Sequence, residues 1–407
     1  MLKNYFKIAI AVLQRRKFFT FLSLFVISFT LMLLTVLASF VNKMFNDNYP
    51  DRKRDRSLYI NAVTMTGPES MNRSMLSKSL VDDYINKLKT PVSVAISTWA
   101  SSTNTYLNNK KISLQYKYTN AAYWDVLDYD FTEGKPFSRQ QLDNAERVAV
   151  ISEHLKQEYF GGGEVVGKFI TADDIQYRVI GVVKDVAASS QMFFSDMYLP
   201  YTVSKKDYRK ESGYFGSFRV ILLAGRVADV AKMRQEYEHM ASKLPITQSG
   251  YDKIESKAQD YLHAFLDFGR LGTAGNVYLA IAIFVCLVMF LPAINLVNIN
   301  ITRIMERSSE IGVRKSFGAT SWTLTGQFII ENLILTLGGG LLSIPLSLAA
   351  LALFNYLSLI DHFHLSLNVP VLLLSLLACI VFGLLSGVYP AWRMSRMHVI
   401  VALRTAS

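Results

Sequence analysis

Phe18 to Val41 reads FFTFLSLFVISFTLMLLTVLASFV, 24 residues without a charged side chain. Wound as an α-helix at 1.5 Å per residue it is about 36 Å long, enough for a hydrocarbon core of roughly 30 Å. Backbone polar groups in lipid must be satisfied within the segment, so the run is helical. A cleaved leader has an apolar core of about 7–15 residues close to its start. This run is longer and begins after residue 17, so it reads as a retained span over 18–41.

Outward from it, residues 1–17 form an amphipathic cytoplasmic helix. Leu2, Phe6, Ala9 and Leu13 share one face, with Lys3, Lys7 and Gln14 elsewhere. Three more spans follow: 277–299, with Pro292 as a kink; 324–354, apolar from Phe328; and 369–388. The N-terminal segment (Arg15, Arg16, Lys17), the loop 300–323 (Arg303, Arg307, Arg314, Lys315) and the tail 389–407 (Arg393, Arg396, Arg404) are basic, whereas the loop 355–368 has no Lys or Arg. Positive residues stay inside. Both termini are therefore expected in the cytoplasm and residues 42–276 outside. Lys43, Arg52, Lys53, Arg54 and Arg56 run against this pattern, but a long domain translocates largely regardless of charge.

Of the net charge of +11, residues 42–276 carry +3 and the hydrophobic remainder +8. That pattern suits anionic lipid headgroups and not nucleic acid, which would require a basic face on the soluble part. Cys286 and Cys379 both lie in apolar runs, so the outer domain has no disulfide framework.

The domain alternates strand-like runs (Val92–Trp99, Val148–Ser152, Tyr177–Val183, Phe218–Leu223) with helical ones (Ser79–Lys89 and Asp229–Leu244, the latter capped by Asp229). Leu80, Tyr84 and Leu88 form one helical stripe and Val230, Met233, Tyr237 and Met240 another. Gly161-Gly162-Gly163 marks a tight loop after a short helix. The fold class is thus a four-helix membrane protein with a large α/β (α+β) extracytoplasmic domain between helices 1 and 2. No catalytic constellation stands out. Asp82-Asp83 and Asp173-Asp174 read as solvated surface. Gly134-Lys135 and Gly167-Lys168 both lack the rest of a P-loop, so no cofactor or metal is expected on this chain.

The loop after the second span reads RIMERSSEIGVRKSFGAT over 303–320. Glu310 and Arg314 are four apart in the order that supports a helix, and Gly318 suits its C-cap. Two readings stand on these residues alone. One is a rigid helix passing force from a cytoplasmic partner to the bundle; the other is a solvated connector that only satisfies the charge rule.

Here the sequence resembles the MacB/FtsX-type ABC permeases, whose loop carries E-R-x-x-E-I-G-x-R-K-x-x-G-A. Glu306, Arg307, Glu310, Ile311, Gly312, Arg314, Lys315, Gly318 and Ala319 match it. Gln327, Phe328 and Glu331 in the third span also resemble the family, as do Tyr389-Pro390-Ala391-Trp392-Arg393. Looser echoes in the domain are Gly134-Lys135-Pro136-Phe137, Val148 to Ser152 and Gly181 to Asp185. The family's tail pattern L-D-P-x-E-A-L-R is broken by His398, Val399 and Val401. The resemblance implies a bacterial inner-membrane subunit that pairs with a second permease subunit, identical or related. It implies that Glu306 to Gly318 receive a separate cytoplasmic ABC ATPase holding ATP and Mg. It further implies a periplasmic adaptor or effector as partner, and motion transmitted to the outer domain in place of a wide pore.

Inside the membrane, Glu331 and Asn332 are the polar candidates. Their place near the span's cytoplasmic edge favours contact with the coupling loop or a headgroup over a transport role. Gly338-Gly339-Gly340 and the pair Gly383 and Gly387 permit close helix approach. Asp361, His362 and His364 read as a wet outer loop rather than a metal site. Three functions remain: export or extraction powered by a separate ATPase, an FtsX-like regulator of a periplasmic partner such as a cell-wall hydrolase, and a receptor without ATP input. The coupling motif disfavours the third.

Overall fold

The computed structural model describes residues 17–46, 49–107, 110–187, 190–211, 213–246, 250–268, 275–284 and 321–357, with scattered positions among 11–15, 286–317 and 365–381. The N-terminal amphipathic stretch, Pro292, the coupling residues Glu306 to Gly318 named above, the outer-loop Asp361, His362 and His364, Gly383, Gly387 and the tail lie outside the described residues.

The chain divides into a unit of helical segments from its two ends and a second unit, mainly Phe45–Val277. The helical unit holds α1 (Lys17–Asn46). Among the described residues only this helix, over Lys17–Lys43, and the last helix, over Ile329–Leu357, are long and apolar enough to cross a membrane. They correspond to the first and third expected spans. The second and fourth are described only in fragments.

In the second unit the strands are β1 (Ser57–Ile60), β2 (Val63–Thr66), β3 (Met71–Leu76), β4 (Pro91–Thr98), β5 (Ser101–Leu107), β6 (Lys110–Thr119), β7 (Phe131–Gly134), β8 (Val148–Ser152), β9 (Phe169–Ala172), β10 (Ile175–Val183), β11 (Met197–Pro200), β12 (Phe215–Gly216), β13 (Phe218–Ala224) and β14 (Lys253–Ser256). They form one mixed sheet in the order β14-β2-β3-β13-β4-β6-β11-β8-β10-β7, with β1 also on β13, β12 on β3, β5 on β6 and β9 on β10. Among the described residues only β6–β11 and β8–β10 run parallel. The helices are α2 (Lys78–Asp83), α3 (Ala122–Val126), α4 (Arg139–Asp143), α5 (Glu153–Phe160), α6 (Val230–Ser242), α7 (Tyr261–Phe268) and, in the helical unit, α8 (Ser321–Leu357).

Side chains alternate across a strand, and here both faces are covered. One face is mainly aliphatic: Phe218, Val220 and Leu222 of β13 join Ile96, Ile112, Leu114 and the buried stripes of α2 and α6. Placing a medium side chain here in an apolar setting is worth roughly 1.5–3 kcal/mol. The other face is aromatic and polar, built on Tyr59, Tyr123, Trp124, Tyr198 and Phe193, with Lys117 and Arg219 buried among them.

Local chemistry sets the ends. Ser152 Oγ accepts the Leu155 N–H at 3.1 Å to start α5, and Gly161 stops it at φ 72°, a conformation a Cβ disfavours. The expected helix over 79–89 is cut at Tyr84 and finishes as a tighter turn over Ile85–Lys87. Asp229 stands at the N-cap position of α6 as expected but makes no side-chain capping bond: its backbone is already helical and its carboxylate takes the Arg226 guanidinium at 3.2 Å. Asp173 and Asp174 do more than face water. At φ 53° and 63° they are the two-residue turn joining β9 to β10, a conformation Asp tolerates.

Candidate functional site: a helix seam and a domain clamp

Within the helical unit, α1 meets α8 at the three glycines. A Cβ on Gly339 would lie 2.6 Å from Ile27 Cγ2, and one on Gly338 would lie 3.2 Å from Leu24 Cδ2. A Cβ on Gly340 would collide with Leu376 of the fourth expected span. Ile27, Leu31 and Leu335 close the seam. Helices in lipid gain little from burying apolar surface against each other, so close approach through small residues is what holds them.

Glu331 and Asn332 are 4% and 6% exposed, whereas Leu341 on the same helix is 71% exposed. The polar pair thus faces the interior of the helical unit. The sequence reading missed a set of buried hydroxyls on α1. Ser23, Ser28 and Thr35 are buried there, and each returns its hydroxyl to its own helix: Ser23 to the Phe19 carbonyl at 2.8 Å, Ser28 to Phe25 at 3.1 Å and Thr35 to Leu31 at 2.8 Å.

The second arrangement lies wholly in the domain, where the chain arrives at residues 49–61 and departs at 259–268. The arriving stretch holds most of the basic residues that defied the charge rule, and they are engaged. Arg52 reaches Asp130 at 2.7 Å; Lys53 takes Asp128 Oδ1 and the Asp125 carbonyl, both at 2.7 Å. Arg56 donates to the Gly225 carbonyl at 2.9 Å, and Tyr49 Oη to the Lys184 carbonyl at 3.0 Å. Beneath them Arg54 bonds Asp51 at 3.1 Å and lays its guanidinium 3.4 Å above the Tyr261 ring.

Asp51 is fully buried. Tyr59 Oη donates to its Oδ2, while its Oδ1 has no hydrogen-bond partner among the described residues. Burial pushes its carboxyl up to about 6, against the pull of Tyr59 and Arg54. The departing stretch is tied to the same spot. Tyr59 and Gln259 exchange main-chain hydrogen bonds at 2.8 and 2.9 Å, Asn61 donates to the Ala264 carbonyl at 2.7 Å, and Arg73 pairs with Asp267. Tyr59 and Tyr261 pack edge to face with ring centroids 5.8 Å apart. Arriving and departing chain therefore form one clamp around a buried carboxylate.

A third feature went unread in the sequence. Lys117 is fully buried, and its Nζ donates to the Met192 carbonyl at 3.2 Å. Burial, with Arg219 nearby, holds its pKa well below the usual lysine range. The signal was the alternation Tyr116-Lys117-Tyr118, which turns the lysine to the opposite face from two tyrosines.

Against known families, residues 20–239 match the MacB-like periplasmic core domain, and residues 282–399 match the FtsX-like permease C-terminal model. The chain belongs to the MacB/FtsX family of ABC transporter permeases. The permease is 28% identical over 333 residues to the macrolide export ATP-binding/permease protein MacB of Escherichia coli K12, covering 79% of this chain and 48% of that one. With a MacB of Yersinia pestis (strain Antiqua) the figures are 27% over 312 residues, 75% and 44%. With the ABC transporter permease YvrN of Bacillus subtilis they are 25% over 286 residues, 69% and 68%. The permease thus spans under half the length of the MacB relatives it matches. Among solved structures, the periplasmic region of MacB from Actinobacillus actinomycetemcomitans is similar at 17% identity, covering 55% of this chain and 98% of that chain, with a TM-score of 0.39.

Proposed function

We propose that this permease couples ATP hydrolysis by a separate cytoplasmic ATPase to movement of its extracytoplasmic domain, for export or extraction of a substrate by mechanotransmission. The carrying observation is the clamp. The chain on both flanks of the domain is fastened to one buried centre, Asp51 with Tyr59, Arg54 and Tyr261. A displacement delivered to either flank then reaches the sheet through that centre. The names of the MacB relatives, which join export to ATP binding, support the same reading.

In this reading the spans are 18–41, 277–299, 324–354 and 369–388, and 42–276 is extracytoplasmic, with both termini in the cytoplasm of a bacterial inner membrane. Glu306, Arg307, Glu310, Ile311, Gly312, Arg314, Lys315 and Gly318 seat the ATPase. Two permease subunits pair, through the Gly383 and Gly387 face or the outer domains. ATP and Mg stay on the ATPase.

Reversing charge with Glu310→Arg and Arg314→Glu is expected to abolish co-purification of the ATPase; retention at the native level would overturn the coupling role. The clamp is tested separately with Arg52→Ala, Lys53→Ala and Arg54→Ala combined. The ATPase should still bind and turn over, while the ATP-driven distance change between spin labels on the paired outer domains is lost. A native distance change in that variant would overturn transmission through the clamp.

A further inference from the structure

Strand β5 (SSTNTYL) pairs along one edge with β6 in unbroken register, from Ser101 opposite Tyr116 to Leu107 opposite Lys110. Gln115, which lies opposite Ser102, fixes where its main-chain groups point. The Gln115 N–H goes to the Asp196 carboxylate at 2.7 Å, and its C=O accepts the Asp196 N–H at 2.9 Å. Asp196 leads into β11, on the other edge of β6. Further along β6, Tyr118 turns the opposite way and donates its N–H to Thr98 Oγ1 of β4 at 3.0 Å, as alternation requires. Ser102 and Gln115 therefore form a pair without mutual hydrogen bonds, so Ser102 turns both its N–H and its C=O away from β6. Asn104 and Tyr106 follow at the two-residue period. Among the described residues these six main-chain groups have no partner. Strand β9, whose Ile170 and Ala172 belong to the same core as Ile112 and Leu114, approaches the hairpin but exchanges no main-chain bond with β5.

This edge matches itself. Its outward residues are spaced evenly about Asn104, so a second copy turned about a two-fold axis sets Asn104 opposite Asn104 and Ser102 opposite Tyr106. Each pair exchanges two bonds and all six groups are satisfied. Open edges are normally blunted by charge, as at the end strand β14 with Lys253 and Glu255. Residues 101–107 carry no charge, so nothing at the axis faces its own like. Ser101, Ser102, Asn104 and Tyr106 are all exposed.

We propose that β5 joins the outer domains of two copies of this chain, edge to edge and antiparallel, centred on Asn104, so that one sheet runs through both. The proposal rests on the reading that two permease subunits pair, and it names where their outer domains meet. Three residue pairs hold free domains weakly, but chains anchored in one membrane meet at high effective concentration.

The test uses the full chain in native membranes, with Cys286→Ser and Cys379→Ser as background. Asn104→Cys should give a covalent dimer on mild oxidation, because the Cα spacing of such a pair, about 5.5 Å, suits a disulfide. Ser102→Cys alone should link at least tenfold less, since the two copies of residue 102 lie about 13 Å apart along the edge. Mixing Ser102→Cys with Tyr106→Cys chains should restore the link. Asn104→Pro removes an outward N–H where proline is tolerated, and should weaken that mixed link at least tenfold. If it fails to fold, the cysteine pattern decides without it. Photobleaching steps of singly labelled chains count the copies independently. Two copies with no link at 104, or with equal linking at 102 and 104, would overturn this interface and leave pairing standing. Single copies throughout would overturn both.

Discussion

The α1–α8 seam and the clamp at residues 49–61 each fasten one stretch of chain to another, with opposite means. The seam is built on fit. Gly338 to Gly340 offer bare backbone, Ile27 and Leu24 fill it, and nearby hydroxyls are returned to their own helix. The clamp is almost all direction: guanidinium to carboxylate, ammonium to carbonyl, ring edge to ring face. In lipid, shape is what remains once apolar contact loses its advantage over solvent; beside water, specificity comes from groups that must be satisfied. The seam should therefore fail when an atom is added, and the clamp when one is removed.

Removal at the clamp's centre carries the largest expected effect. Arg54→Ala strips the buried Asp51 of its cation and exposes the Tyr261 face. Breaking a buried pair on one side costs about 3–5 kcal/mol, because the other charge is left stranded. Denaturant unfolding of the domain in the full chain should show a loss of that order. Arg52→Gln, at the half-exposed rim, should cost under about 1 kcal/mol. Equal losses at the two positions would erase the distinction between centre and rim.

Asp51→Asn comes next and is read through pH. The folded carboxyl sits at about 6 and the unfolded one near 4, so between these values the folded state holds a proton that the unfolded state has lost. The group's stabilising contribution is complete below pH 4 and disappears as pH rises through 6. Two pKa units correspond to at most about 3 kcal/mol. The native protein should lose stability across that window, and Asp51→Asn should flatten the slope. A slope of equal size in the variant would assign it to another group.

Much of this was legible beforehand, and the pattern of omissions is physical. The strand at Val148–Ser152 was placed to the residue, and those at 177–183 and 218–223 to within two, because β-branched runs covered on both faces leave no competing period. Strands β1 to β3, β5 and β6 went unread: MNRSML and SSTNTYL are polar and take their strand form from pairing with neighbours. Gly338 to Gly340 were named from composition as residues that permit close helix approach. The clamp was not. Arg52, Lys53, Arg54 and Arg56 were visible as an anomaly of topology, but their partners Asp128, Asp130 and Tyr261 lie far along the chain, and no local pattern announces such pairs.

A smaller effect belongs to the seam. Gly339→Ala drives a methyl into the branched Ile27 at the root of its side chain, which cannot swing away, so an overpacking cost of about 1–3 kcal/mol is expected. Gly338→Ala meets only the far end of Leu24 and should cost less than half as much. Cysteine cross-linking between α1 and α8, followed against rising detergent, gives the ranking. A larger loss at position 338 than at 339 would mean that the two helices meet differently.

The smallest expected effect tests whether a buried amino group in the aromatic layer contributes stability or is merely tolerated there. Lys117 has a folded pKa well below the ordinary 10.5, so between the two values the unfolded chain carries a proton that the folded chain does not. Stability contributed by this group is complete above pH 10.5 and is lost as pH falls through the lowered value, leaving a standing cost near neutrality. Lys117→Met keeps the volume and removes the cost, but it leaves the Met192 carbonyl without its donor, which returns part of the gain. The net change should be a stabilisation of no more than about 1 kcal/mol at pH 7, accompanied by loss of the alkaline rise in stability. If Lys117→Met destabilises the domain and the alkaline rise persists, the Lys117 hydrogen bond to Met192 is a structural bond in its own right. The aromatic layer would then resemble the clamp, held by directed groups, and not the seam, held by fit.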